Sequence, residues 1–161
     1  VEEPTNPDDV VGHAVIAKAI APVRVATGEH VANRIIFKQM LQSKSLSFVQ
    51  IDASRVAGIN ENIAIILMAA KFGIPVCPHA GGVGLCEMVQ HLAMFDYVAV
   101  SGEHPDRVVE FVDHLHEHFV VPTDIRRARY MPPSKAGAGA EMFAQSVSDF
   151  TFPTGKQWLN N

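Results

Sequence analysis

Pro75-Val76-Cys77-Pro78-His79-Ala80-Gly81-Gly82-Val83-Gly84-Leu85-Cys86-Glu87 is a short apolar run that ends in a histidine and gives way to a glycine-rich loop. A brief apolar run bounded by turn residues reads as a buried strand. Pro75 to Pro78 is therefore a strand, with His79 at its C-terminal end. The segment that follows, Gly84 to Phe95, has helical spacing, and the glycines before it let the chain pack closely at the helix N-terminus. The loop lacks the Lys-Ser/Thr of a P-loop and the order GxGxxG, so it is not a phosphate cradle.

The same unit repeats on either side. Val1 to Glu3 is a strand tail, and Asp8 and Asp9 cap a helix in which Val10, Val11, Ala14, Val15, Ala17 and Ala19 supply the apolar face. Val23 to Thr27 is a buried strand running into Gly28-Glu29-His30, and Asn33 to Leu41 a helix with Ile36, Phe37, Met40 and Leu41 on one side. Phe48 to Ile51 is a strand ending at Asp52, and Ile59 to Phe72 a helix closed by Gly73. Tyr97 to Val100 reads as another strand, ending at Ser101, and Asp106 to His118 as a helix with Val108, Val109, Phe111, Val112 and Leu115 inward. After Val120 the prolines and the AGAGA run at 136–140 break any long element.

The strand ends Glu2, Glu29, Asp52, His79 and Ser101 are separated by 27, 23, 27 and 22 residues, the length of a strand, a helix and two loops. Right-handed crossovers between parallel strands put every C-terminal strand end at one edge of the sheet. An open sheet spreads those ends along a line, whereas a (β/α) barrel rings them around a pocket. The charged groups at these ends are of types that need to converge, which favours the barrel. The fold expected is α/β, the C-terminal part of a TIM-like (β/α)7β barrel with about five parallel strands and intervening helices. A complete barrel takes about 250 residues, so roughly three strands are expected upstream of Val1. Residues 1–119 form the barrel portion, and residues 120–161 a tail expected to run over a surface or pack against another part of the protein.

Composition narrows the function. With 161 residues, 48% hydrophobic, 19% charged and a net charge of -4, the chain has the make-up of one globular domain. Its Lys and Arg residues are scattered apart from Arg126, Arg127 and Arg129, which leaves no electrostatic footprint for nucleic acid. No apolar run approaches the length of a membrane span. Cys77 and Cys86 fit neither a disulfide framework nor a CxxC metal site and read as reduced, buried thiols.

At the strand ends, Glu2 and Glu29 suit a hard divalent cation such as Mg2+, which takes oxygen ligands. Alternation along the strand points Glu3 the other way. Asp52 and His79 can form a dyad in which the carboxylate fixes the imidazole tautomer and His79 moves a proton. His114, His116 and His118 lie two apart, so on a helix they do not share a face and read as solvated histidines near its C-terminus. His91, in mid-helix, reads as structural. Glu110 reads, by type and position, as an exposed helix carboxylate.

The stretches EEPTNPDD (2–9), ATGEH (26–30), QIDASRVAGINEN (50–62) and CPHAGGVGLCEMVQHLAMFDYVAVSG (77–102) resemble the mandelate racemase subgroup of the enolase superfamily. Within it the likeness is to the L-fuconate dehydratases, and it continues through VVEFVDHLHEHF and RYMPP. The resemblance implies a Mg2+-dependent dehydration of a small acid sugar to a 2-keto-3-deoxy acid, with the metal stabilising the enediolate left when the C2 proton is removed. It places the second and third metal ligands on Glu2 and Glu29 and the dyad on His79 and Asp52, with His79 the general acid for loss of the C3 hydroxyl. It moves Glu110 to a position near the substrate carboxylate and makes Asn33 and Arg34 contacts to the polyol. The first metal ligand and the KxK motif, whose second lysine is the base, belong to earlier strands. Lys18, Lys38, Lys44 and Lys71 lie in or beside helices, so this piece alone is expected to be inactive. The resemblance further implies a homo-oligomer as the full-length protein, in the cytoplasm, or in mitochondria if the source is an animal.

Overall fold

The computed structural model describes residues 1–102 and 107–159. Its centre is a row of short parallel segments rich in Val and Ile, buried on both faces as a parallel sheet requires. Two have regular strand geometry, β1 (Ala26–Thr27) and β2 (Phe48–Val49), paired in parallel with Ala26 opposite Phe48 and Thr27 opposite Val49. Glu2 bridges Ala26 on one side and Val76 bridges Val49 on the other, both in parallel. Backbone bonds carry the ladder toward the C-terminal edge, Gln50 N–H to Thr27 C=O at 3.1 Å and His79 N–H to Ile51 C=O at 3.0 Å.

Four helices follow these segments where spacing predicts them: α1 (Val10–Ala19), α2 (Arg34–Ser43), α3 (Ile59–Lys71) and α4 (Leu85–Phe95). Asp9 caps α1 through Gly12 N–H. Asn33 caps α2 through Ile35 and Ile36 N–H. Gly73, at φ 69°, turns the chain out of α3. Phe37, Met40, Ile51, Ile65 and Ile66 are fully buried and join the helices to the strands.

Three expectations are corrected. The first concerns α1, where part of the predicted apolar face is turned outward: Val11 is 71% and Val15 64% exposed, while Val10 packs on the core and the buried residue is His13. This helix is apolar on nearly every side, so spacing alone does not select the inward face. In the second, Tyr97–Val100 is no strand. Asp96–Ser101 prolongs α4 as a wide helical turn that ends at Gly102, φ 64°, whose N–H bonds Tyr97 C=O at 2.8 Å. The buried Asp96 pairs with Arg107 at 3.1 Å, so tertiary context overrides the β propensity of Val-Ala-Val.

In the third, the helix expected over 106–118 is not formed from 107 to 115. Asp106 lies outside the described residues. That stretch is spent otherwise: Glu110 N–H donates to Pro78 C=O at 3.3 Å, which makes it the fifth segment of the row in place of Tyr97–Val100. Val109 packs on the buried Ala80, Leu85, Cys86 and Val89. Leu115, at φ 60°, ends the stretch in a single 3-10 turn, His116–His118.

Beyond it lie the hairpin β3 (Ile125–Arg126) and β4 (Arg129–Tyr130), then α5 (Ala144–Phe150) and α6 (Lys156–Leu159). The hairpin is tied to the sheet row through Tyr130, whose hydroxyl donates to Glu110 C=O at 2.5 Å. Cys77 and Cys86 are both unpaired thiols, Cys86 buried.

Candidate active site

Parallel alignment brings the ends of four neighbouring segments to one edge, the Glu110 segment joins them there, and six ionisable side chains meet. His79 stands at the middle. Its Nδ1 lies 2.9 Å from Asp52 Oδ2, while its Nε2 faces Glu29 Oε2 at 3.4 Å and Glu110 Oε2 at 3.6 Å. His30 Nε2 lies 3.3 Å from Glu29 Oε1 and 3.6 Å from Glu3 Oε2.

Asp52 is buried and fully engaged. Besides His79 it accepts from Ser54 N–H at 2.7 Å and Ser54 Oγ at 2.6 Å. Burial alone would raise its carboxyl; the Ser54 bonds and His79 outweigh that and hold it below the usual aspartate range. An ionised Asp52 facing Nδ1 fixes the proton there and turns Nε2 toward the open side. Gly81 keeps that side clear, since a Cβ at this position would lie 2.6 Å from His79 Nε2.

Glu110 is held from two directions. Its carboxylate accepts Ala80 N–H at 2.5 Å, and its own backbone is bound to Pro78 and Tyr130. The residue that reads as an exposed helix carboxylate is thus a strand-end group beside His79. Cys77, just below, has its thiol pushed up to about 11 by burial and by the charges of Glu110 and Glu2.

The carboxylates form a group of their own. One ligand atom each from Glu3, Glu29 and His30 lie within 4.8 Å of one another. Glu2 is held by Gln50 Nε2 at 2.8 Å. Burial raises the Glu29 carboxyl; His79 and His30 oppose this, and the charges of Glu3 and Glu2 add to it. Crowded carboxylates offering hard oxygen donors fit a divalent cation such as Mg2+. Strand alternation does not continue at Glu3: its φ of 37° swings the carboxylate to the same end as Glu29, near Thr27 Oγ1 and His30. Sequence reasoning missed Glu3 and His30, though each adjoins a chosen ligand and Pro4 signals the break in alternation.

Asn33 and Arg34 have partners on the helices. Asn33 Oδ1 caps α2, and Arg34 pairs with Glu61 of α3 at 3.2 Å. His116 and His118 are half-buried rather than solvated, because each has a side-chain partner: His116 Nδ1 meets Glu87 Oε1 at 2.6 Å and His118 Nδ1 meets Ser146 Oγ at 3.0 Å. His91 Nε2 meets Ala138 C=O at 3.1 Å, a structural contact. No helix among the described residues is long and apolar enough to cross a membrane.

This geometry has counterparts. Residues 1–146 match the family model described as enolase C-terminal domain-like. The crystal structure of human mitochondrial enolase superfamily member 1 is 56% identical, with a TM-score of 0.95 over 99% of this chain and 36% of that one. The L-galactonate dehydratase of Hypocrea jecorina is 48% identical over 95% of this chain and 34% of its own length. An L-talarate dehydratase from Polaromonas sp. JS666, solved with Mg and L-glucarate, is 27% identical, with a TM-score of 0.73 over 89% of this chain and 37% of that one. The chain spans about a third of the length of the curated relatives it matches. Its parallel segments and helices are the C-terminal part of a TIM-barrel-like α/β fold, and the chain belongs to the enolase C-terminal domain-like family.

Proposed function

We propose that the protein carrying this chain is a hydro-lyase that dehydrates a sugar acid to its 2-keto-3-deoxy acid, with L-fuconate or L-galactonate as substrate. L-Fuconate is the 6-deoxy form of L-galactonate, so the two share their stereocentres, and a relative named for L-galactonate supports this choice over acids of other configuration. The observation that carries the reading is the dyad: His79 Nδ1 lies 2.9 Å from an ionised Asp52, and Nε2 faces the open side.

His79 gives its Nε2 proton to the C3 hydroxyl, which leaves as water. Asp52 stabilises the charge on the ring and keeps its tautomer. The C2 proton goes to a base outside this chain, and the resulting enol becomes the 2-keto acid. Glu29 and Glu2, with Glu3 beside them, would hold Mg2+, which supplies charge stabilisation to the substrate carboxylate when bound. Glu110 lies beside that carboxylate, and Asn33 and Arg34 contact the polyol end. Residues 1–119 are the barrel portion and 120–161 a tail packed on a capping domain; the whole protein is a homo-oligomer, mitochondrial in an animal, that neither binds nucleic acid nor inserts into membranes.

Incubating the full-length protein with Mg2+ and each acid, and assaying 2-keto acid, tests the reading. Formation from either acid is expected. No 2-keto acid from either, or C2 inversion with the C3 hydroxyl retained, would overturn it in favour of no reaction or a racemase.

A further inference from the structure

Glu87, in the first turn of α4, is a buried carboxylate whose side chain is 1% exposed. Its Oε1 meets His116 Nδ1 at 2.6 Å and Thr123 N–H at 3.3 Å, and its Oε2 is buried without a hydrogen-bond partner. The other ring nitrogen, His116 Nε2, meets Val112 C=O at 2.8 Å. Both nitrogens therefore face acceptors. A neutral imidazole carries one N–H, so the ring and the carboxylate share a second proton between Nδ1 and Oε1.

The position of this pair matters more than its energy. Phe111 stacks flat on the His116 ring, with centroids 5.4 Å apart and planes at 1°. Phe111 and Val112 directly follow Glu110, in a stretch that has no regular secondary structure of its own. At its other end, Glu87 sits on the helix that the His79 loop leads into. His116 thus ties the segment carrying Glu110 to the helix beneath His79, while Tyr130 braces the same segment edge-on to Phe111. Asp113 is the other charged group whose field reaches the ring.

We infer that His116, clamped to Glu87 by a shared proton, is a positioning residue that holds Glu110 against Ala80 N–H and beside His79 Nε2. Its role in turnover rests on the dehydratase reading; its role in placing Glu110 does not.

The test uses full-length protein bearing His116→Phe, which keeps the flat stack and removes both hydrogen bonds, and Glu87→Gln, which keeps the shape. Hydrogen exchange of the Ala80 amide is expected to quicken about tenfold, the loss of roughly one hydrogen bond, with the Val49 amide unchanged. With a sugar acid that the parent protein dehydrates, kcat falls about tenfold to a hundredfold at little changed KM. The double variant His116→Phe with Glu110→Gln is no slower than Glu110→Gln alone, because both changes act through one group. If the Phe variant disturbs Val49 exchange as well, Glu87→Gln decides. If both do, ring 15N shifts of the parent protein decide, a bare nitrogen on His116 at neutral pH counting against the clamp. Unaltered Ala80 exchange in a folded variant, or multiplicative kinetic losses, would overturn the proposal. Failure of the parent protein to dehydrate any sugar acid would instead sink the functional reading and leave the exchange and 15N results to judge the clamp.

Discussion

His79 gains its chemistry from what surrounds each nitrogen. Asp52 takes one side at 2.9 Å, and the other is left facing carboxylates at 3.4 and 3.6 Å across a gap that a single glycine keeps open. Replacing Gly81 by Ala would put a methyl group 2.6 Å from Nε2, closer than real contacts allow. Gly81→Ala is therefore expected to lower kcat/KM at least about tenfold while the melting temperature stays within a few degrees. Undiminished turnover would mean that Nε2 does not face the substrate. The Glu87 and His116 pair gives a second expectation at this scale. Burial lowers the His116 pKa, but the hydrogen bonds to Glu87 and Val112 and the charge of Glu87 raise it further, so it stands above its ordinary 6.5. A group whose folded pKa is raised stabilises the fold fully below its unfolded pKa and loses that contribution as pH rises through the folded one. Melting temperature of the parent protein should therefore fall, relative to Glu87→Gln, as pH is raised from about 6.5 upward. A constant difference across that range would contradict the shared proton.

At the scale of elements, the helices were legible because their signals are local. Asn33 precedes an apolar repeat and caps α2 through Ile35 and Ile36 N–H, so Asn33→Ala should cost about 1 kcal/mol. Chemical denaturation of the parent and variant proteins measures it; a change near zero would show that the cap is dispensable. Gly73 likewise marks the end of α3. The last unit was not legible, for a physical reason. Val98 and Val100 carry strand propensity, yet the buried Asp96 and its ion pair with Arg107 are contacts between distant positions that no local pattern contains. Glu110 suffered from the same error, since a helix at 106–118 would have left it exposed. Only the likeness to known sequences lifted it, and the bond from its N–H to Pro78 C=O gives the structural reason.

Over the whole molecule, the regular interval between strand ends is the most telling feature of the sequence. It placed Glu2, Glu29, Asp52 and His79 at one edge before any contact was known, because parallel strands share a direction. Side-chain aim within that edge was less legible: Glu3 joins Glu29 through a positive φ that alternation does not anticipate. The described residues also leave much apolar surface uncovered, including Val11, Val15, Val98 and Phe152. Expressed without further sequence, the 161-residue chain should self-associate through this surface and through the exposed edge at Val1–Glu3. Light scattering after gel filtration checks this, and a monodisperse, cooperatively melting monomer would contradict it.

On the proposed reading, His79 donates the proton that lets the C3 hydroxyl leave. The most direct measurement follows L-fuconate or L-galactonate with the full-length His79→Asn protein and Mg2+ in deuterated water, recording 2-keto acid and C2 deuterium together. 2-Keto acid formation is expected to fall about a hundredfold or more, with deuterium still entering at C2 through the separate base. Undiminished 2-keto acid formation by that variant would contradict it.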